Sequence, residues 1–173
     1  MRDVKSVLEI VNITAEFAIG PQISTEDIDT IRTAGFASIL NARPDDEIGT
    51  YLLSNDAERL AGDAGLAYLH TPTEGHAIFE SDIIDRFERA LINLPAPIFS
   101  HCKSGTRSAM LWALVASRHR VVEIVIATLR EAGQEFDFLE DELRESADEA
   151  RQSPLRLKQD ALLSLGRSKL LGG

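Results

Sequence analysis

Apolar residues recur along this chain in two alternating rhythms. One is the short uninterrupted run: Phe17–Ile19, FASILNA at 36–42, LAYLHTP at 66–72 and IFS at 98–100. Runs of this length bounded by turn-forming residues predict strands, and FASILNA, short and mostly apolar, predicts a buried one. The other rhythm is helical. Ser24 or Thr25 can cap a helix that puts Ile28 and Ile31 on one face and stops at Gly35. Leu53, Ala57, Leu60, Ala61 and Ala64 fall at helical intervals before Gly65. Ser81 and Asp82 then open a third helix, with Ile83, Ile84, Phe87, Ala90, Leu91 and Leu94 on one stripe.

Strands and helices that alternate in this way predict an α/β fold: a central, mainly parallel sheet flanked by helices. In such sheets ligands bind beyond the carboxyl ends of the strands. Three segments fall there: Arg43 to Asp46, Thr71 to His76, and the run HCKSGTRS at 101–108. From residue 106 the pattern is helical, over 106–118, 121–132, 137–151 and 154–165. The last two helices are not needed to complete the sheet. The expected organisation is an α/β domain over 1–134 and a helical C-terminal extension over 135–173.

Charge sharpens that division. The 173 residues carry a net charge of −10. Residues 131–150 hold nine acids, from Glu131 to Glu149, against Arg144 alone. The stretch 151–171 turns basic, with Arg151, Arg156, Lys158, Arg167 and Lys169 against Asp160. The opposite charges suit pairing of the two C-terminal helices with each other or, in a homo-oligomer, with a second subunit. No basic footprint suggests a nucleic-acid partner. No apolar run is long enough to span a membrane, and MRDVKSVLEIVNIT lacks the apolar core of a signal peptide, so the expected location is cytoplasmic. One cysteine excludes an internal disulfide and a redox pair.

That cysteine, Cys102, is the main candidate for chemistry. A lone cysteine is more often a small buried hydrophobe than a nucleophile. Its setting outweighs this. A thiolate becomes reactive beside backbone N–H groups, a helix N-terminus and a cation. Cys102 ends a strand, and Lys103, Ser104, Gly105 and Thr106 form a tight turn made sterically possible by Gly105. A helix then starts with its dipole aimed at the sulfur, and Arg107 can offer a bidentate fork to an oxyanion. Successive loop amides would form an anion-binding nest. Ser108 could donate a hydrogen bond to the sulfur, Lys103 adds positive potential, and His101 can orient the loop. His70, His76, His101 and His119 lack metal-ligand spacing, so neither a metal nor another cofactor is expected.

The stretch from Phe17 to His119 resembles the phosphatase-like domain of beta-lactamase-hydrolase-like (Blh-type) bacterial proteins. The resemblance rests on AIGPQIS, AGFASILNARPDDE, AGLAYLHTP and HCKSGTRSAMLWAL. It implies a fold similar to dual-specificity and tyrosine phosphatases, with the C-terminal tail as an addition. It also implies a cysteine-dependent hydrolase of phosphate esters, with Cys102 as nucleophile and Arg107 as oxyanion clamp. Cleavage of a phosphate ester needs an acid for the leaving oxygen. Glu74 and His76 are candidates, and Asp45 or Asp46 could be recruited. Arg43 could bind the substrate anion or hold Asp45 or Asp46 in a structural pair.

One departure keeps a second chemistry open. Only four residues separate Cys102 from Arg107, against five in the classical phosphatase signature. Losing one residue shortens the loop contour by roughly 3.5 Å. The shorter spacing is similar to rhodanese-type sulfurtransferases, which would carry a persulfide on Cys102 and need no acid. The expected partner is therefore a phosphorylated, or other oxyanion or sulfane, substrate. A non-catalytic module that binds oxyanions or a partner protein is the third reading.

Overall fold

The computed structural model describes residues 6–153. Five strands form one sheet: β1 (Val11–Asn12), β2 (Phe17–Gly20), β3 (Ser38–Asn41), β4 (Ala67–His70) and β5 (Ile98–His101). Their spatial order is β1-β2-β5-β3-β4. β2, β5, β3 and β4 run parallel, and β1 adds an antiparallel edge that the hydrophobic pattern did not predict. Six helices accompany them: α1 (Asp27–Thr33), α2 (Ser54–Asp63), α3 (Ser81–Asn93), α4 (Thr106–Ala116), α5 (Val122–Glu131) and α6 (Glu140–Gln152). The expected α/β architecture with a mostly parallel sheet is what the chain adopts. The helix expected at 154–165 lies outside the described residues.

Strand periodicity explains how both sheet faces are buried. Side chains alternate across a strand. Phe17, Ile19, Leu40 and Ile98 accordingly enter one core with α3, α4 and α5, while Ala18, Ile39 and Phe99 enter the other with Ile28, Ile31 and Ala61. Beyond its first turn α4 has no polar face to offer: Leu111 to Ala116 are all buried, as the uncharged run from Ser108 requires. Trp112 is 1% exposed and stacks on Phe17 with ring centroids 6.1 Å apart. The turn Asp137–Leu139 and α6 add Leu139 and Leu143 to the same core.

Two local readings change. Neither Ser24 nor Thr25 caps α1; instead the Asp27 carboxylate accepts the Ser24 backbone N–H at 2.8 Å. Glu88, on the apparently apolar stripe of α3, is buried with Arg118 just beyond α4. Arg118 Nη1 lies 2.8 Å from Asp85 and 2.9 Å from Glu88, and its Nε donates to Ser146 of α6 at 3.1 Å. Breaking one partner of such a buried network would leave an uncompensated charge, so these bonds fasten α3, α4 and α6 together.

Register sets up the functional edge. Gly20 pairs with His101, His101 with Asn41, and Asn41 with His70. Four parallel strands therefore end level, and the loops that follow them emerge side by side. Gly20 permits the closest of these approaches. A Cβ at that position would lie 2.5 Å from Phe99 Cζ and 2.8 Å from the Glu9 carbonyl oxygen. Gly20→Ala should therefore lower unfolding stability by about 1–3 kcal/mol in urea titration. An unchanged midpoint would show that the crossing has room to spare.

Candidate active site

Cys102 is the first residue after β5 and is 1% exposed. The chain then reverses within three residues. Gly105 turns with φ +97°, and its backbone N–H donates to Cys102 Sγ at 3.2 Å. A side chain at 105 would strain this left-handed conformation and meet the Gly20 carbonyl oxygen at 3.3 Å. The loop is tied to β2 by the Gln22 N–H, which donates to the Lys103 carbonyl at 3.1 Å. α4 begins at Thr106, so its unpaired N–H groups and positive dipole end face the sulfur's side of the turn. Lys103, Ser104 and Thr106 are exposed, and the Ser104 and Thr106 hydroxyls pair at 3.2 Å. Ser108 is buried, and its recorded partner is Ser100, at 3.0 Å, rather than the sulfur.

Arg107 lies one residue into α4 with its side chain 15% exposed. Its Nη1 is 2.7 Å from Glu47 Oε1, yet no N–H of that buried nitrogen is aligned for a hydrogen bond. The two charges compensate each other in this shielded setting. Glu47 was not singled out from the sequence, although it closes the AGFASILNARPDDE block and stands four residues after Arg43.

Arg43 does not pair with Asp45 or Asp46. It is 4% exposed, its Nε donates to Glu47 at 3.0 Å and its Nη1 to Gln22 Oε1 at 3.2 Å. Its guanidinium lies 3.5 Å over the Tyr51 ring. Asp45 is spent on α2: it accepts the Ser54 backbone N–H at 2.9 Å and the Ser54 hydroxyl at 2.5 Å. Burial pushes the Asp45 carboxyl up, but the two bonds from Ser54 outweigh it and hold the group below its ordinary range. Such a carboxylate is a helix cap and a poor proton donor. Asp46 is exposed.

The remaining histidine and carboxylate candidates divide by burial. Glu74 and His76 are both exposed and pair with each other at 3.3 Å. Their loop is held beside the arginine loop, since the Thr73 N–H donates to the Ala42 carbonyl at 3.0 Å. His101 has no exposed surface and its ring stacks on Phe99. Burial pushes its pKa down to about 4, against a small opposing effect of its bond to the Cys102 carbonyl. It is therefore a neutral packing group under the loop and not a base.

Comparisons with known proteins bear on the family and the fold. The family model described as beta-lactamase hydrolase-like protein, phosphatase-like domain, matches residues 9–118. A beta-lactamase hydrolase-like protein of Xylella fastidiosa is 42% identical over 108 residues, 62% of this chain and 25% of that protein. The chain thus matches a quarter of that relative's length. Among solved structures, a phosphatase candidate from Neisseria meningitidis superposes with a TM-score of 0.69 at 22% identity, covering 79% of this chain and 97% of that one. Kinase associated phosphatase, with serine replacing its catalytic-site cysteine, gives 0.68 at 14% identity, covering 88% and 99%. The fold is that of the dual-specificity and tyrosine phosphatases.

The buried histidine makes a prediction. Its folded pKa, about 4, lies below the ordinary 6.5, so the unfolded chain binds the proton more tightly. His101 therefore contributes full stability above pH 6.5 and loses it as pH falls towards 4, by roughly 3 kcal/mol in all. Thermal unfolding from pH 7 to 4 should show a shallower loss for His101→Phe than for the parent. Equal slopes would contradict the assignment.

Proposed function

Because the chain belongs to the phosphatase-like domain family of the beta-lactamase hydrolase-like proteins, we propose that it is a cysteine-dependent phosphatase acting on phosphate monoesters. The observation that supports this most directly is the Gly105 N–H donating to Cys102 Sγ at the start of α4, the helix whose second residue is Arg107. Cys102 thiolate attacks phosphorus, an S–P bond forms, and the P–O bond to the leaving group breaks. The loop amides and Arg107 stabilise the negative charge on the transferring phosphoryl oxygens. Glu74 or His76, on the adjoining loop, supplies the proton to the leaving oxygen. Water then attacks phosphorus, the S–P bond breaks, and the thiolate is regenerated with release of phosphate.

Loop length favours a second reading. Four residues between Cys102 and Arg107 leave less contour to surround a tetrahedral group, and a sulfane sulfur needs fewer donors. In that case Cys102 would carry a persulfide taken from a sulfane donor and pass it to a thiol.

Parallel assays separate the two. The purified protein should release phosphate from an aryl phosphate, and Cys102→Ser should lower that rate at least about a thousandfold. Sulfide release from thiosulfate and a thiol should stay at background. Undiminished phosphate release by the serine variant would sink the mechanism. Sulfide release without phosphate release would install the sulfurtransferase instead.

A further inference from the structure

Glu47 stands between two guanidinium groups, and each of its carboxylate oxygens meets a different one. Oε2 accepts the Arg43 Nε–H at 3.0 Å, and Oε1 lies 2.7 Å from Arg107 Nη1. The two arginines are not equivalent. Arg43 is committed on every side: Nε to Glu47, Nη1 to Gln22, Nη2 to the Ile48 carbonyl at 3.5 Å, and its face to Tyr51. All three of its nitrogens already have partners within the protein. Arg107 meets Glu47 through Nη1 in a close ion pair whose N–H is not aligned as a hydrogen bond.

The segment that carries Glu47 is built to keep it in place. Tyr51 stacks on Arg43, and its hydroxyl is shared between the carbonyls of Pro44 and Glu47, each at 2.9 Å. Asp45 ties the same segment to the start of α2 through Ser54. His70 donates to the Arg43 carbonyl at 2.7 Å, which fixes the segment's first residue to β4. A loop anchored at this many points does not behave as a lid that delivers a competing anion. It presents a fixed carboxylate to the side chain at the start of α4.

We propose that Glu47 is a positioning residue for Arg107. Its charge holds the guanidinium over the cysteine loop, while the misaligned contact leaves the Arg107 N–H groups free for the oxygens of a transferring phosphoryl group. Arg43 and Tyr51 act one step further back by fixing Glu47. This role rests on the phosphatase reading, and it makes the arginine's orientation a property of two loops rather than of the cysteine loop alone. The pair is largely shielded, with side chains 15% and 23% exposed, so it escapes the screening that makes surface pairs weak. Orientation errors at a clamp are expensive because the clamp acts on charge that develops in the transition state.

The test is a double-mutant cycle on an aryl phosphate with Glu47→Gln, Arg107→Ala and the combination. Glu47→Gln should lower kcat by about 10- to 100-fold with little change in KM, the signature of an interaction made in the transition state. In the Arg107→Ala background the same change should cost less than about twofold. Glu47→Asp, which keeps the charge but shortens the reach, should recover part of the loss. Tungstate binding to the parent and Glu47→Gln, read by calorimetry, supplies a measurement independent of turnover and should weaken in the variant. Equal losses from Glu47→Gln in both backgrounds would overturn the proposal while leaving the phosphatase reading intact. So would an unchanged kcat with unchanged tungstate affinity. A parent-like rate for Arg107→Ala would overturn the clamp itself and this proposal with it.

Discussion

Between β5 and α4 the chain reverses in three residues, and the reversal happens against the carbonyl of Gly20. Gly105 must adopt φ +97° there, and any side chain at 105 would press on β2 from 3.3 Å. This close approach fixes the position of everything chemical. It brings the Gly105 N–H to the sulfur, starts α4 at the correct angle and places Arg107 beside the loop. β2 can serve as the backstop only because its own last residue is a glycine that clears Phe99 and Glu9. The site is thus a consequence of two glycines, Gly20 at the end of β2 and Gly105 in the turn after β5, two neighbouring parallel strands whose ends are level.

Charge is handled differently on the two sides of the molecule. Arg118, Asp85, Glu88 and Ser146 form a buried network in which the bonds fasten three helices. Arg43, Glu47 and Arg107 form another, in which the Glu47 carboxylate meets both guanidinium groups. The first network joins helices, whereas the second lies at the edge where the loops after β3 and β5 meet.

Much of this was legible in the sequence because it rests on short-range patterns. Two periodicities, interrupted by glycine and proline, predicted four parallel strands and seven helices, six of them among the described residues. A strand, a glycine turn, an arginine and an uncharged helix marked Cys102 and Arg107. What escaped depends on tertiary approach. β1 is two residues long and carries no periodic signal. Glu88 and Arg118 were not singled out, since helical spacing shows a face but not what covers it. Glu47 is four residues from Arg43 but sixty from Arg107, and only the folded edge brings all three together. Asp45 looked like a recruitable acid, yet its proximity to Ser54 is created by the loop that leads into α2.

The central claim is that Cys102 forms a covalent bond to phosphorus within this loop. Rapid-quench mass spectrometry during the first turnover of an aryl phosphate tests it most directly. The account predicts one phosphoryl group on the peptide bearing Cys102, appearing before free phosphate. A phosphoryl group on another residue, or phosphate released at full rate while Cys102 carries nothing, would contradict it.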